Sequence, residues 1–253
     1  MCLDPETYRL SHASHHLHAN TDRDRQMYPE GFLANPTRAR LQFALELVLG
    51  NLAWEIATTA RLRRQGMLPG TRIAAHLPGR LVVPGVLAWF FATVAPEAAG
   101  FAIANFIVMF WSGSLMTRHN QWLQHLGIFA SGDEKARNLL TRNLRNETLL
   151  ERTINFLNHD DSVAHTYHHT EPGSYTRLDS DLHPASDHVQ VTLRDYWKAL
   201  TAFYRELFGP SPSFEVMHLD RPRDISNKNA RGIETRPRTT GARSMSFLVA
   251  NES

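Results

Sequence analysis

Two histidine triplets are the residues of this chain best suited to chemistry. Both have the spacing H-x-x-H-H; the first is His12, His15 and His16, and the second is His165, His168 and His169. On a helix, residues three and four apart share a face, so each triplet would present its imidazoles in one direction. Neutral imidazole binds iron, zinc, copper or nickel, whereas magnesium and calcium prefer oxygen ligands. Six nitrogens exceed the needs of one tetrahedral zinc, so the spacing predicts a dinuclear centre or two separate sites.

The alternative for a single histidine is an ordinary polar position on a helix surface. Histidine is concentrated here, because eight of the chain's 14 histidines fall within residues 12–18 and 159–169. A cluster that senses pH is the remaining alternative to a metal site.

An apolar stretch separates the two triplets. From Leu81 to Met116 the only charged residue is Glu97, and the segment "APEA" divides the stretch into two predicted helices. Residues 98–116 would span about 28 Å, close to the thickness of a bilayer core. Residues 81–95 would span only about 22 Å, so this helix must start earlier, tilt or insert incompletely. A helical hairpin buried in a soluble core is the alternative.

Basic residues lie on both sides of this apolar stretch. Those before it are Arg61, Arg63, Arg64, Arg72 and Arg80, and those after it are Arg118, Lys135, Arg137, Arg142 and Arg145. The connection between the two helices carries only Glu97. The positive-inside rule therefore places both flanks in the cytoplasm, which would return the two triplets to one side of the membrane.

The remaining segments are predicted to be largely helical. Residues 40–64 form an apolar helix that lies at the membrane interface, with Trp54 as an anchor, or packs over the active site. Residues 133–158 have the spacing of one or two soluble helices. Residues 192–209 are a clearer amphipathic helix, and the polar, Arg-rich residues 219–253 are predicted to be disordered.

Charge and cysteine content restrict the function classes only slightly. The chain has 27 basic and 25 acidic residues, a balance that gives no indication of a nucleic-acid partner. Its single cysteine, Cys2, excludes an internal disulfide framework and fits a reducing compartment.

The two triplets resemble a known family. "YRLSHASHHLHANTDRD" is similar to the second histidine box of the membrane fatty acid desaturases, and "NHDDSVAHTYHHTEP" resembles their third box. "NQWLQHLG" resembles the segment in which that family places an additional histidine ligand, here His125. The similarity covers roughly residues 8–175, with the boxes, the apolar segment and the additional histidine in the family's order.

The resemblance implies an all-α membrane protein, in which a helical hairpin carries a cytoplasmic cap with the histidine boxes. It implies a centre of two iron ions whose ligands are His12, His15, His16, His125, His165, His168 and His169. The substrate would be a fatty acyl lipid, and dioxygen would be the oxidant. Electrons would come from a ferredoxin or a cytochrome b5-type donor. The chemistry belongs to the metal, so no further catalytic residue is implied.

Three carboxylates, Asp160, Asp161 and Glu171, are expected either to orient ligand N–H groups or to be solvated loop residues. His119 and His159 are weaker candidates as ligands. The histidines that match no box are expected at the surface; they are His18, His76, His183, His188 and His218.

The family's first histidine box has no counterpart in this sequence. We therefore expect a desaturase-like domain over residues 1–218 that is truncated at its N-terminus, with residues 81–116 as the transmembrane hairpin. Two alternatives remain at this point. One is a hydroxylase or ketolase of the same superfamily, and the other is a catalytically silent, membrane-bound metal-binding remnant.

Overall fold

The structure is a computed structural model that describes residues 5–68, 82, 85–158, 161–170 and 188–219. The chain is mostly helical, as predicted. It departs from the predicted all-α class in two short pairs of parallel strands. The predicted disordered tail lies, apart from Leu219, outside the described residues.

The helices and strands follow one another along the chain. The helices are α1 (Pro5–His18), α2 (Arg40–Leu49), α3 (Asn51–Arg64), α4 (Gly85–Val94), α5 (Pro96–His125), α6 (Glu134–Asn138), α7 (Leu149–Leu157), α8 (Asp161–Thr170) and α9 (Leu193–Leu207). A 3-10 turn, Pro36–Ala39, precedes α2. The strands are β1 (Ala130–Ser131), β2 (Arg142–Leu144), β3 (Val189–Val191) and β4 (Met217–His218).

The chain divides into two compact units. The first contains residues 1–12 and 41–119, and the second contains residues 13–40 and 120–253.

The predicted break in the apolar stretch lies at a single residue of the first unit. Helix α4 ends at Val94 and α5 begins at Pro96, because proline fits the first turn of a helix but not its interior. Helix α5 is longer than the predicted residues 98–116: its 30 residues correspond to about 45 Å and end at His125. Whether α4 and α5 form an antiparallel hairpin across a membrane stays a prediction.

Within the described residues, α5 is the one helix that is long and apolar enough to cross a membrane. Its apolar side chains are largely exposed; Phe101 and Met109, for example, have exposed fractions of 76% and 72%. The core helix of a soluble protein would instead be covered by the rest of its chain. This exposure argues against the soluble-core alternative.

Residues 40–64 form two helices and not the single helix predicted from their composition. Gly50 breaks the helix, with φ of +61°, a backbone conformation that favours glycine. A Cβ at this position would overlap the backbone of Ser114. The Ser114 hydroxyl donates to the Leu49 carbonyl (2.7 Å) and accepts from the Leu52 N–H (2.9 Å), so the break is a packing contact with α5.

A buried ion pair holds α2 against α5. The Arg118 guanidinium donates twice to one carboxylate oxygen of Glu46, at 2.6 and 2.8 Å, and both side chains are fully buried. Leu41 and Val48 of α2 point outward and are exposed. The interfacial position of this segment remains a prediction.

An aromatic core organises the second unit. Tyr28, Phe32, Phe129 and Phe203 are almost completely buried, and the Phe32 ring lies 5.0 to 6.0 Å from the other three. Helix α9 confirms the predicted amphipathic helix, because its apolar face, including Phe203, enters this core. Its start is fixed by a capping box between Thr192 and Asp195.

Residues 133–158 contain two helices, α6 and α7, within the one or two predicted, but a strand that was not predicted lies between them. Residues 142–144 form β2, which pairs in parallel with β3 over Arg142–Val189, Asn143–Gln190 and Leu144–Val191. All three residues of β2 are buried, and helix α7 begins only after it. Tertiary pairing with a distant segment overrides local helical spacing here.

Candidate metal centre

Helix α1 positions the first histidine triplet. His15 is buried and His16 half-buried, and both belong to the second unit. His12 belongs to the first unit and lies four residues before His16 on the same helix, which puts the two on one helix face. The helix ends at His18, and the chain then reverses through Asn20, a non-glycine residue with φ of +60°.

Four histidines from three helices converge in the second unit. His15 of α1, His125 of α5, and His165 and His169 of α8 are all buried, and their potential ligand nitrogens lie within 4.8 Å of one another. We refer to these four residues as the histidine quartet. The Nε2 atom of His165 lies 3.1 Å from the Nε2 atoms of both His125 and His169.

Those short distances have a chemical meaning. A ring nitrogen carries at most one proton, and a single Nε2 cannot make two good hydrogen bonds to two other Nε2 atoms. Two nitrogens bound to one metal at about 2.1 Å would lie about 3 Å apart if adjacent. The approach of the three Nε2 atoms is therefore the spacing of ligands around a shared ion.

Two neighbouring side chains fix the ring orientations. The Nδ1–H of His15 donates to a carboxylate oxygen of Asp24 at 2.7 Å, and both side chains are buried. The Asn20 amide donates through Nδ2 to the Arg137 carbonyl (2.8 Å) and to Thr141 Oγ1 (3.1 Å), which leaves its Oδ1 to accept from His125 Nδ1 at 3.0 Å. Both rings therefore direct Nδ1 toward these partners and Nε2 inward, where it can face a metal.

Strand β2 and helix α6 anchor the helix that carries the third box. The Asn143 side chain donates to Thr166 Oγ1 (2.7 Å) and accepts from the Thr166 N–H (3.0 Å), while Thr166 Oγ1 donates to the Thr141 carbonyl (3.0 Å). Asn138 donates to the carbonyl of His169 at 3.3 Å. These bonds hold α8 in place at Thr166, the residue after His165, and at the carbonyl of His169.

Two arginines satisfy helix ends near the quartet. The buried Arg142 donates to the carbonyls of Leu123 and Leu126, at the end of α5 that carries His125. Burial lowers the pKa of Arg142 to about 10, so it remains a cation at neutral pH. Arg137 donates to the Leu17 carbonyl at 3.0 Å, at the end of the helix that carries His15.

Burial also sets the protonation of His169. It lowers the pKa of His169 well below the usual value for histidine, and the neighbouring His15, His165, His125 and His16 lower it further, because a second positive charge beside them is unfavourable. His169 is therefore a neutral imidazole near pH 7. Its Nδ1 is buried, and no hydrogen-bond partner for it lies in the described part of the chain.

The remaining histidines of the boxes are close by. The His16 and His168 rings lie 4.4 Å apart, and the His16 and His169 rings 4.9 Å apart. His168 is buried. The structure thus brings six of the seven predicted ligands into one region of the second unit, and His12 lies on the helix that carries two of them.

The donor set matches a soft or borderline metal. Four buried imidazoles without a carboxylate among them suit iron, zinc, copper or nickel, and they do not suit magnesium or calcium. Asp24 contacts the outward nitrogen of His15, which is the place of an orienting group and not of a ligand.

Sequence reasoning missed the two orienting residues. Asp24 and Asn20 lie in "HANTDRD" directly after the first triplet, and a search for polar residues next to the turn that ends the helix would have found them. The carboxylates expected in this role are not described: Asp160 and Glu171 lie outside the described residues, as does His159, and the side chain of Asp161 is not described either.

One histidine expected at the surface is buried. His188 precedes β3, and its ring packs at 4.6 Å against Tyr167 of α8, the helix of the third box. His218 is exposed and His18 is half-buried, while His76 and His183 lie outside the described residues. The half-buried His119 belongs to the first unit.

Comparison with known proteins accounts for this arrangement. The family model for fatty acid desaturases matches residues 1–204, which include all the histidines of the quartet and both orienting residues. No curated protein and no solved structure matches the chain. By the match over most of its length, this chain belongs to the fatty acid desaturase family.

Proposed function

We propose that this chain is a desaturase-like membrane oxidoreductase that introduces a double bond into a fatty acyl chain. The observation that carries the proposal is the convergence of His15, His125, His165 and His169 at a buried point inside the region that matches the family. Family membership implies an acyl substrate, dioxygen and iron.

Seven histidines are proposed to hold two irons. They are His12, His15, His16, His125, His165, His168 and His169. Bound iron would supply the oxidising power to remove hydrogen from an unactivated methylene, with dioxygen and two external electrons. Overall, two C–H bonds are lost and one C=C bond forms, while dioxygen, two electrons and two protons are converted to two waters. The electron donor proposed is a ferredoxin or a cytochrome b5-type protein.

The chain's own residues prepare the site for this chemistry. Burial of the quartet limits the access of water, and it keeps His169 a neutral imidazole near pH 7. Asp24 and Asn20 hold the outward ring protons of His15 and His125, which fixes the tautomer and the direction of the inward nitrogens. Asn143 and Thr166 hold the third box in register with β2.

The location proposed is an integral membrane protein with its histidine boxes on the cytoplasmic side. The exposed apolar surface of α5 supports the membrane location, and the arginines that flank the apolar stretch support the orientation. The desaturase-like domain proposed covers residues 1–218.

Metal content and product analysis test the proposal. The full chain, purified under reducing conditions and loaded with ferrous iron, should retain iron, and His165→Ala should lose most of it. His218→Ala is the matched control, because His218 is exposed and lies outside the quartet. With an acyl lipid, a reductant and an electron donor, mass spectrometry should show the loss of two hydrogens from the substrate. A gain of one oxygen would identify a hydroxylase, and a chain that binds no iron would contradict the proposal.

A further inference from the structure

Helix α7 has its polar and apolar faces reversed relative to a helix on the surface of a soluble protein. Glu151 and Asn155 are its buried residues, with exposed fractions of 2% and 1%. Leu149, Leu150 and Phe156 are exposed, at 81%, 61% and 76%. An amphipathic helix in water turns its apolar stripe toward the core, so this arrangement needs another explanation.

The buried polar face is held by specific bonds within the second unit. One Glu151 oxygen accepts from the N–H groups of Glu147 (3.2 Å) and Thr148 (3.0 Å), and the other accepts from the Leu193 N–H (3.4 Å) at the start of α9. Asn155 donates to the Arg145 carbonyl (3.3 Å) and to Asn146 Oδ1 (3.1 Å). The helix cannot rotate its apolar face inward without breaking these bonds and burying unsatisfied polar groups.

The outward face is mainly apolar. Leu149, Leu150, Phe156 and Leu157 lie at helix positions i, i+1, i+7 and i+8, which fall on one side of the helix. The one polar side chain among them is Thr153, whose hydroxyl donates to the Leu149 carbonyl of the same helix (2.9 Å). A contiguous apolar patch of this kind marks a surface that another apolar phase covers.

Cationic side chains border the stripe. Arg152 is exposed on α7 itself, and Arg145 is partly exposed just before the helix, where Glu147 contacts it at 3.5 Å. An apolar helix face with arginines at its edge is the composition of a helix that lies in the boundary between headgroups and acyl chains, where the cations meet anionic lipid.

We propose that α7 is an interfacial membrane helix whose partner is the surface of a bilayer containing anionic lipid. This inference rests on the membrane location proposed for the chain and assigns a second, separate element to the membrane. It would place at the membrane one of the one or two soluble helices predicted for residues 133–158.

The position of α7 in the chain gives this contact a consequence for the site. Helix α8, which carries His165, His168 and His169, begins at Asp161, four residues after Leu157, and packs against α7. An α7 fixed in the headgroup layer therefore sets the third histidine box at a fixed depth relative to the lipid from which an acyl chain must enter.

Spin labelling of the full chain tests this proposal. Cys2→Ser removes the one native cysteine. Single cysteines are then introduced on α7 as Leu149→Cys and Phe156→Cys, and on α9 as Lys198→Cys, the exposed control. Each carries a nitroxide in vesicles of neutral and anionic phospholipid. We expect the α7 labels to collide more with oxygen and less with a water-soluble nickel chelate than the Lys198 label, by several-fold in the ratio.

Two results would overturn the proposal. Nickel accessibility of the α7 labels equal to that of Lys198 would place α7 in water. Low accessibility to both quenchers would show that protein, such as a second copy of the chain, covers the stripe. Because the substituted side chains are exposed, the variants should retain wild-type helical content by circular dichroism, which is measured alongside.

A label on α5 separates this inference from the proposed function. Ile107 is exposed within the apolar part of α5, so Ile107→Cys reports whether the chain inserts at all. Lipid contact at Ile107 together with water contact on α7 would contradict the interfacial position of α7 and leave the proposed membrane location intact. Lipid contact at both, in a chain that binds no iron, would leave the inference standing and contradict the catalytic proposal.

Discussion

Helices α7 and α9 lie in the same unit, have similar amphipathic patterns and begin with the same type of capping box. They differ in the face that is buried: α9 buries its apolar face and α7 its polar face. Helix α9 buries Leu200, Phe203 and Leu207, whereas α7 buries Glu151 and Asn155. The difference lies in what surrounds each helix. An apolar stripe identifies a face of a helix, and the partners of its polar residues decide whether that face turns toward the protein or away from it.

The largest expected effect contrasts one phenylalanine from each helix. Phe203 of α9 is almost fully buried against Phe32 and Phe214, so Phe203→Ala should lower the free energy of unfolding by about 3–5 kcal/mol. Phe156→Ala on α7 should change it by less than about 0.5 kcal/mol. Urea unfolding of the detergent-solubilised chain measures both. Equal losses would show that the outer face of α7 is packed against protein.

The acidic residues of the two capping boxes give the next contrast. Glu151→Ala should destabilise the chain by about 2 kcal/mol, because three backbone N–H groups lose their acceptor in a buried place. Asp195→Ala should cost about 1 kcal/mol, since this side chain is 31% exposed and water can replace it.

Glu151→Gln is the matched control for this pair, because the amide keeps an acceptor oxygen at the same place. It should recover most of the stability lost in Glu151→Ala, as read from the same unfolding curves. If Glu151→Ala is no worse than Asp195→Ala, the inner face of α7 is not buried in solution.

The same contrast explains which parts of the fold could be predicted. Helix α9 followed from its pattern, because apolar spacing, a cap and a terminal Gly209 all agree with a helix packed on a core. The break at Ala95 followed from Pro96. The break at Gly50 did not, because it depends on contact with Ser114, and β2 did not, because its partner β3 lies 45 residues further on. Long-range contacts of this kind leave no local periodicity.

The site shows the same division. The spacing H-x-x-H-H and the resemblance identified the histidines, six of which lie together in the second unit. Asp24 and Asn20 were not identified as orienting groups, because their role arises from a chain reversal at Asn20 and not from helical spacing. The face that α7 buries could not be predicted from the sequence pattern either, because an apolar stripe does not indicate whether protein or lipid covers it.

Helix α8 extends the comparison, because its buried face is polar like that of α7 but includes histidine side chains, among them His169. Burial keeps the pKa of His169 below that of the unfolded chain, so on acidification below about pH 6.5 the unfolded state takes up a proton that the folded state refuses. Stability is therefore full above this pH and falls as the pH drops toward the folded-state pKa, by up to about 1.4 kcal/mol per pH unit for one such group.

We expect urea unfolding of the metal-free chain between pH 7.5 and 5.5 to show this fall, and His169→Gln to reduce its slope. Phe203→Leu on α9 should lower stability equally at each pH, because that face holds no histidine. A His169→Gln variant with the slope of the parent chain would show that the pKa of His169 is no lower in the folded chain than in the unfolded chain.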